Sequence, residues 1–371
     1  MLILAKSILG LMMGFFLSVF AGLILLPILK KLNFRQSVCT MITERHLQKE
    51  GTPTIGGLIF IIPTIIAMLL LYIRGSLEIT SSLIIILFVF ISYSLLGLAD
   101  DLKKIKRHHN DGLTVVQKLI VQIIIAIVFF YIYMKDGGST HLIVTSLNLD
   151  VDLKWAYGFF ILFLLVGSSN AVNITDGEDG LAGGLSAIAF LSFGIISWGS
   201  NWIQGYQEIA IFCFILVGSL LGFLVYNTHP AKVFMGDTGS NFIGFVLAVI
   251  SILGVAKTYT AIIIIAPLLV LALPIFDTSF AIIRRIIKQK SIKAVFKADR
   301  GHLHHKLIDR GYSQKQAVFI LYGISATFGL FAIILLESGL WKAISFALLV
   351  IAIVAIGYKD IFRVKKEKKN D

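Results

Sequence analysis

Apolar runs about as long as a bilayer is thick alternate with short polar segments along this chain. A hydrocarbon core about 30 Å thick needs roughly 20 helical residues. Runs near that length fall at 5–29, 54–73, 82–99, 116–134, 156–169, 181–198, 207–226, 240–256, 259–283, 317–336 and 340–358. They predict an all-α polytopic integral membrane protein with about 10–11 transmembrane helices, the fifth and eighth runs being short. The first run is longer than the apolar core of a signal peptide and lacks a small-residue cleavage site before Lys30 and Lys31, so it reads as a retained helix. Between 135 and 155, a GGST segment and the alternating HLIVTSLNLDVDL stretch predict a small external hairpin. Neither an internal repeat nor a low-complexity region is visible, so residues 1–371 read as one domain and the inverted-repeat signature of many transporters is missing.

Composition supports the bilayer as solvent: 57% of residues are hydrophobic and the mean hydropathy is +0.90. The formal charge of +12 does not point to nucleic acid, because Lys and Arg collect in the cytoplasmic loops of membrane proteins, where they also meet anionic lipid. The alternate segments 30–53, 100–115, 170–180, 227–239, 284–316 and 359–371 hold 26 of the 33 Lys and Arg residues. Those segments are therefore expected in the cytoplasm, with the N-terminus outside and the basic C-terminal tail inside. Cys39 and Cys213 are the only cysteines and suggest no disulfide framework.

Most of the chemistry-bearing residues fall at span ends on that same side. Asp100 and Asp101 close the third run, and Lys104 stands four residues after Asp100, on the same helical face. A carboxylate at mid-membrane costs roughly 2.5–3.5 kcal/mol on insertion scales, so a tandem pair belongs at the water boundary. A helix-end charge cluster serving only topology fits this pair as well. The segment NAVNITDGEDGLAGG (170–184) is harder to read that way. It gathers Asn170, Asn173, Asp176, Glu178 and Asp179 with no Lys or Arg, whereas a topology signal would be basic. A helical turn would bring Asp176 and Asp179 together, and like charges so placed call for a cation between them. In NTHPAKVFMGDTGS (227–240), Asp237 lies between Gly236 and Gly239, as a ligand-binding carboxylate or as a helix N-cap. The segment DRGHLHHKLIDRGYSQKQ (299–316) holds His302, His304 and His305 among Arg300, Lys306 and Arg310. This mixture suits phosphate; zinc, with only Asp299 or Asp309 as a nearby fourth ligand, and a plain solvated loop are the alternatives.

Carboxylates repel an anionic substrate unless a hard cation bridges the two, which Mg²⁺ does through one or two carboxylates plus substrate phosphates. The loops therefore predict Mg²⁺-dependent (or Mn²⁺-dependent) phosphoryl chemistry at the cytoplasmic surface. An ion-coupled transporter is the rival from another class. Its ionisable residues should lie near the bilayer midplane, and Asp277, inside the ninth run, is the one residue that favours it.

In these same segments the sequence resembles the polyprenyl-phosphate N-acetylhexosamine-1-phosphate transferases, glycosyltransferase family 4. The resemblance runs in order through GTPTIGG (51–57), ADDLKK (99–104), GLTVVQK (112–118), NAVNITDGEDGLAGG, FMGDTGS (234–240) and HLHH (302–305). It implies a bacterial multi-pass cell-membrane enzyme that moves a sugar 1-phosphate from a UDP-amino sugar to undecaprenyl phosphate and releases UMP. It further implies catalytic roles for Asp100, Asp101, Asp176 and Asp179, with Asp237 as principal Mg²⁺ ligand beside Asp176. Asn173, Phe234, Lys104, Lys118, His302, His304 and His305 would bind substrate, Phe234 by stacking on uracil. Membrane lipids are expected partners, and the resemblance leaves room for a homodimer.

The branch signals divide. GTPTIGG, GLTVVQK and MGDTGS look like the branch that transfers phospho-N-acetylmuramoyl-pentapeptide, the lipid I step of peptidoglycan synthesis. HLHHKLIDRGYSQKQ and DTSFAIIRR look like the branch that transfers N-acetylglucosamine 1-phosphate in the first membrane step of other envelope polymers. Because the histidine loop should meet the variable sugar, the sequence expectation is N-acetylglucosamine, with the muramoyl-pentapeptide as alternative. Glu178 replaces the Leu more usual between the two Asp-Gly pairs and adds negative charge.

Overall fold

The computed structural model describes residues 2–32, 52–107, 112–144, 149–199, 206–255, 277, 283–284, 302–338 and 340–351. Its helices are α1 (Leu2–Lys31), α2 (Leu58–Ile73), α3 (Ser81–Arg107), α4 (Val115–Lys135), α5 (Ala156–Thr175), α6 (Leu181–Gly199), α7 (Tyr206–Asn227), α8 (Gly236–Val255), α9 (Leu303–Asp309), α10 (Gln314–Ser338) and α11 (Leu340–Ile351). Among the described residues, 8 helices are long and apolar enough to cross a membrane, and α2 and α11 are shorter apolar helices. The protein is thus a polytopic helical membrane protein. Most of the ninth predicted run, the first part of 284–316 and the tail 359–371 lie outside the described residues.

A two-stranded antiparallel ladder joins α4 to α5. Strands β1 (His141–Val144) and β2 (Leu149–Asp152) pair His141 with Asp152 and Val144 with Leu149, as the alternation predicted. Beside the ladder, Thr140 hydrogen-bonds the Asp152 carboxylate and holds its pKa below the ordinary value.

Helices α7 and α8 form the centre: 89% of each span is buried, against 22% for α1 and α4, whose apolar outer faces suit lipid. α7 packs against α1, α2 and α6, while α8 packs against α3 and α5. The α3–α8 seam is built from rings, with Phe90 4.4 Å from Phe242 edge-on and Tyr93 3.7 Å from Phe245. Toward the site the rings give way to Gly97. A Cβ there would lie 2.4 Å from the Asp237 carbonyl oxygen, so only glycine lets α3 approach the start of α8 this closely.

Two helices run further than the apolar pattern indicates. The fifth run ends at 169 by hydropathy, yet α5 continues to Thr175 because its polar residues find partners on neighbouring helices. Ser169 Oγ donates to the Asn241 carbonyl at 3.1 Å, and Asn170 Nδ2 donates to Gln122 at 3.3 Å and to the Val166 carbonyl at 2.7 Å. The segment expected as a loop over 170–180 is therefore helix to 175, with a turn over 176–180. Helix α3 likewise continues to Arg107, carrying Asp100, Asp101 and Lys104 on one unbroken element.

Candidate active site

The site forms where the C-terminal part of α3, the N-terminal turns of α4 and α8, and the last turns of α5 come together. Asp101 is 1% exposed, and its carboxylate reaches from α3 to the start of α8. Its Oδ1 accepts the Asp237 N–H at 3.1 Å, while Oδ2 accepts the Thr238 N–H at 2.9 Å and the Thr238 hydroxyl at 2.6 Å. The first N–H groups of any helix lack partners within it. A carboxylate from another helix supplies them here, with its charge at the positive end of the α8 dipole. Gly236 precedes this turn with φ +74°, and a Cβ on it would meet the Asp101 carboxylate at 2.6 Å, so both backbone and space require glycine.

Asp100 turns the other way. Its Oδ1 accepts the Leu113 N–H at 2.6 Å, which pins the segment leading into α4. Its Oδ2 pairs with Lys104 Nζ and with Lys118 Nζ, each at 2.8 Å. Lys118 is on the first turn of α4, whose start is fixed by a reciprocal capping box between Thr114 and Gln117. Asp237 completes the centre: Oδ2 pairs with Lys104 at 3.1 Å and with Lys118, and Oδ1 accepts Asn173 Nδ2 at 3.0 Å. Asn173 is held in turn by Ser240 Oγ at 2.8 Å. The α5 extension is what brings Asn173 here.

Three carboxylates and two ammonium groups share this small volume. Burying an ion costs several kcal/mol, while an opposite charge at about 4 Å returns about 4 kcal/mol at an effective dielectric near 20. No single lysine offsets three acids, and the pair does so only in part. The centre faces water along one side, where Lys104, Lys118 and Asp237 keep 27%, 24% and 15% of their side-chain surface, while Asp100 keeps 1%.

One carboxylate oxygen from each of Asp100, Asp101 and Asp237 lies within 4.8 Å of the others. This all-oxygen donor set, already drawing cations to itself, fits a hard divalent ion such as Mg²⁺. Asp101 has both oxygens engaged with α8, so Asp100 and Asp237 are the residues that would hold the ion.

Of the residues expected from sequence, the structure brings together Asp100, Asp101, Lys104, Lys118, Asn173 and Asp237. The others are placed differently. Asp176 caps the end of α5, and the helical turn expected to join it to Asp179 does not form, because 176–180 is a succession of turns. Asp179, buried, accepts the Ala231 N–H at 3.2 Å and contacts His229 Nδ1 at 2.9 Å, fastening the segment before α8. The backbone of Phe234 bonds to the Pro53 carbonyl and the Gly56 N–H, each at 2.8 Å, which gives the 51–57 motif a scaffolding role. His302 caps α9, with Nδ1 2.9 Å from Asp277 Oδ2, and the Leu303 N–H donates to Asp277 Oδ1 at 2.7 Å. Asp277, which sequence offered as a transport residue, is instead an anchor for the histidine segment. The parts sequence reasoning missed are Thr238, Ser240 and His229, all inside quoted motifs where hydroxyls and imidazole flank an acid or a proline.

Fold and site define a membrane-embedded enzyme with an acidic, lysine-bridged centre at its helix ends. A model of glycosyl transferase family 4 matches residues 83–255, which hold every residue of this centre. The chain is 41% identical over 307 residues to a phospho-N-acetylmuramoyl-pentapeptide-transferase of Bacillus subtilis (strain 168), covering 83% of this chain and 90% of the relative. Similar proteins of the same name occur in Geobacillus sp. (strain WCH70), 38% identical over 88% of this chain and 96% of the relative, and in Oceanobacillus iheyensis, 40% identical over 86% and 94%. The chain belongs to glycosyl transferase family 4, a transferase of the bacterial membrane. The expectation of N-acetylglucosamine as the transferred sugar is thereby corrected. It rested on the short histidine segment and its neighbour, whereas the relatives match more than four-fifths of the chain, including the motifs that build the acidic centre.

Proposed function

We propose that this protein transfers phospho-N-acetylmuramoyl-pentapeptide from its UDP-linked donor to undecaprenyl phosphate and releases UMP, with the site on the cytoplasmic face. The observation that carries the reading is the Asp100–Asp237 pair bridged by Lys104 and Lys118 at the wet edge of the bundle, together with relatives of that name along nearly the whole chain. In the reaction an oxygen of the lipid phosphate forms a bond to the sugar-linked phosphorus. The bond from that phosphorus to the bridging oxygen breaks, and UMP leaves with that oxygen. Both partners are anions, so positioned cations dominate the catalysis.

Asp100 and Asp237 would hold Mg²⁺, which supplies charge neutralisation to the diphosphate when bound. Lys118, shared between two carboxylates, and Lys104, shared among three, turn their remaining N–H groups to phosphate oxygens and fix the two substrates in one place. Asn173 keeps the Asp237 carboxylate in a single orientation. Asp101 acts by holding α8, and hence Asp237, in register. Asp176, Asp179, Phe234 and the histidines are assigned to the larger donor by the resemblance of their motifs to those of the family.

The test is UMP release by the purified protein from the muramoyl-pentapeptide nucleotide and undecaprenyl phosphate. Turnover that requires a divalent ion and falls at least about a hundred-fold in Asp237→Asn agrees with the reading. Full activity in chelator, or in Asp237→Asn, refutes it.

A further inference from the structure

Apart from the lysine-bridged centre, three side chains meet in a set of cation-ligand type that the transfer reaction, as proposed, does not call for. Glu178, in the turn between α5 and α6, comes against His304 and His305 on α9, and one ligand atom from each lies within 4.8 Å of the other two. The segments carrying them are 126 residues apart in the chain, counted from 178 to 304. Their encounter is a product of the fold, not of local sequence. His304 is 3% exposed and its ring centroid lies 4.1 Å from that of His305, so both imidazoles present themselves to one small volume.

The donor chemistry differs from that of the aspartate centre. Two imidazoles and one carboxylate suit Zn²⁺ and the neighbouring late first-row ions, while the all-oxygen set at Asp100, Asp101 and Asp237 suits Mg²⁺. Ligand atoms on a tetrahedral ion with bonds of roughly 2.0–2.1 Å lie about 3.3 Å apart, so small side-chain rotations close the present spacing. Three protein ligands leave a fourth position for water or a substrate oxygen.

Both sides of the site are also held from behind. Tyr322 of α10 donates its hydroxyl to the Gly180 carbonyl at 2.5 Å, and the Gly180 N–H donates to Asn227 at 3.1 Å, fixing the turn that bears Glu178. On the other side Asp277 anchors both His302 and the first N–H of α9. Such support behind the ligands reduces the ordering that binding requires.

We propose that Glu178, His304 and His305 form a second cation site, selective for Zn²⁺ or a similar late first-row ion over Mg²⁺, which clips the α5–α6 turn to α9.

Cobalt is a suitable probe, because four-coordinate Co²⁺ absorbs visible light far more strongly than six-coordinate Co²⁺. The full-length protein, stripped with chelator in detergent, is titrated with Co²⁺ in a large excess of Mg²⁺. The expected result is about one equivalent bound with a strong visible band. That band is lost, or the affinity drops at least about tenfold, in Glu178→Leu and in His305→Ala, but persists in Asp237→Asn. Glu178→Gln, which keeps the side chain's size, is the companion if Glu178→Leu does not fold, and it is expected to show the same loss. Absence of Co²⁺ binding in Mg²⁺, undiminished binding by a folded Glu178 variant, or loss of the band in Asp237→Asn alone would each overturn the proposal.

Discussion

Asp100 and Asp101 are adjacent in sequence and take on different tasks. Asp101 spends both oxygens on the first backbone groups of α8 and on the Thr238 hydroxyl, whereas Asp100 faces the two lysines. Asp101→Ala leaves two buried N–H groups without an acceptor, at a cost of about 1–3 kcal/mol for each group left unsatisfied. A marked fall in the thermal midpoint of the detergent-solubilised protein is expected, together with loss of activity as Asp237 shifts. A midpoint unchanged from wild type would argue against the clamp. Lys118→Met should keep more of the fold, because Lys104 remains to pair with both Asp100 and Asp237, yet reduce turnover by about a hundred-fold or more. Lys118→Arg, judged by the same UMP-release assay, should recover only part of that, since the broader guanidinium does not replace an ammonium among closely spaced carboxylates. The chemical identity of these residues was legible in the sequence, as was the Asp100–Lys104 pairing, because it is local to one helix. The division of labour between the two aspartates was not. It is settled by hydrogen bonds to a backbone 136 and 137 residues away, which no local pattern encodes.

At the scale of elements, span positions were legible because length and hydropathy alone decide what crosses a bilayer. Helix ends were not, since a polar residue looks the same whether it faces water or a partner on another helix. Asn170 and Asn173 read as loop residues and are helical, satisfied by Gln122, Asp237 and Ser240. The turn that follows is shorter than hydropathy implied, and Asp176 and Asp179 share no helical turn within it. The close α3–α8 approach tests this picture independently of charge. Gly97→Val would drive a side chain into the backbone at Asp237 and Thr238, with carbons and oxygen at 2.4–2.7 Å from the new Cβ. Overpacking of this kind typically costs about 1–3 kcal/mol. Reduced thermal stability and loss of UMP release are expected, and a variant with both properties intact would place the seam elsewhere.

For the whole molecule, the class of fold was legible from the apolar runs and the chemistry of the centre from acids gathered at span ends, although the acidic segment 170–184 contributes only Asn173 to that centre. Branch assignment failed because it rested on two short segments, the histidine segment and the DTSFAIIRR stretch that begins at Asp277, against similarity that runs along more than four-fifths of the chain. The predicted orientation, N-terminus outside and C-terminus in the cytoplasm, rests on the distribution of 26 of 33 basic residues. A protease-accessible tag at each end, assayed in intact spheroplasts, should be cleaved at the N-terminus and protected at the C-terminus. The reverse pattern would move the aspartate centre to the outer face, away from any nucleotide donor.

A competition assay addresses the proposed reaction most directly. Purified protein in lipid nanodiscs, with Mg²⁺ and undecaprenyl phosphate, is given the UDP-linked muramoyl-pentapeptide and UDP-N-acetylglucosamine together, and the lipid product is identified by mass. The expected product carries the muramoyl-pentapeptide on a diphosphate bridge and forms at the same rate with or without the second nucleotide. A lipid carrying only N-acetylglucosamine, or no lipid product with either donor, would contradict the proposed reaction.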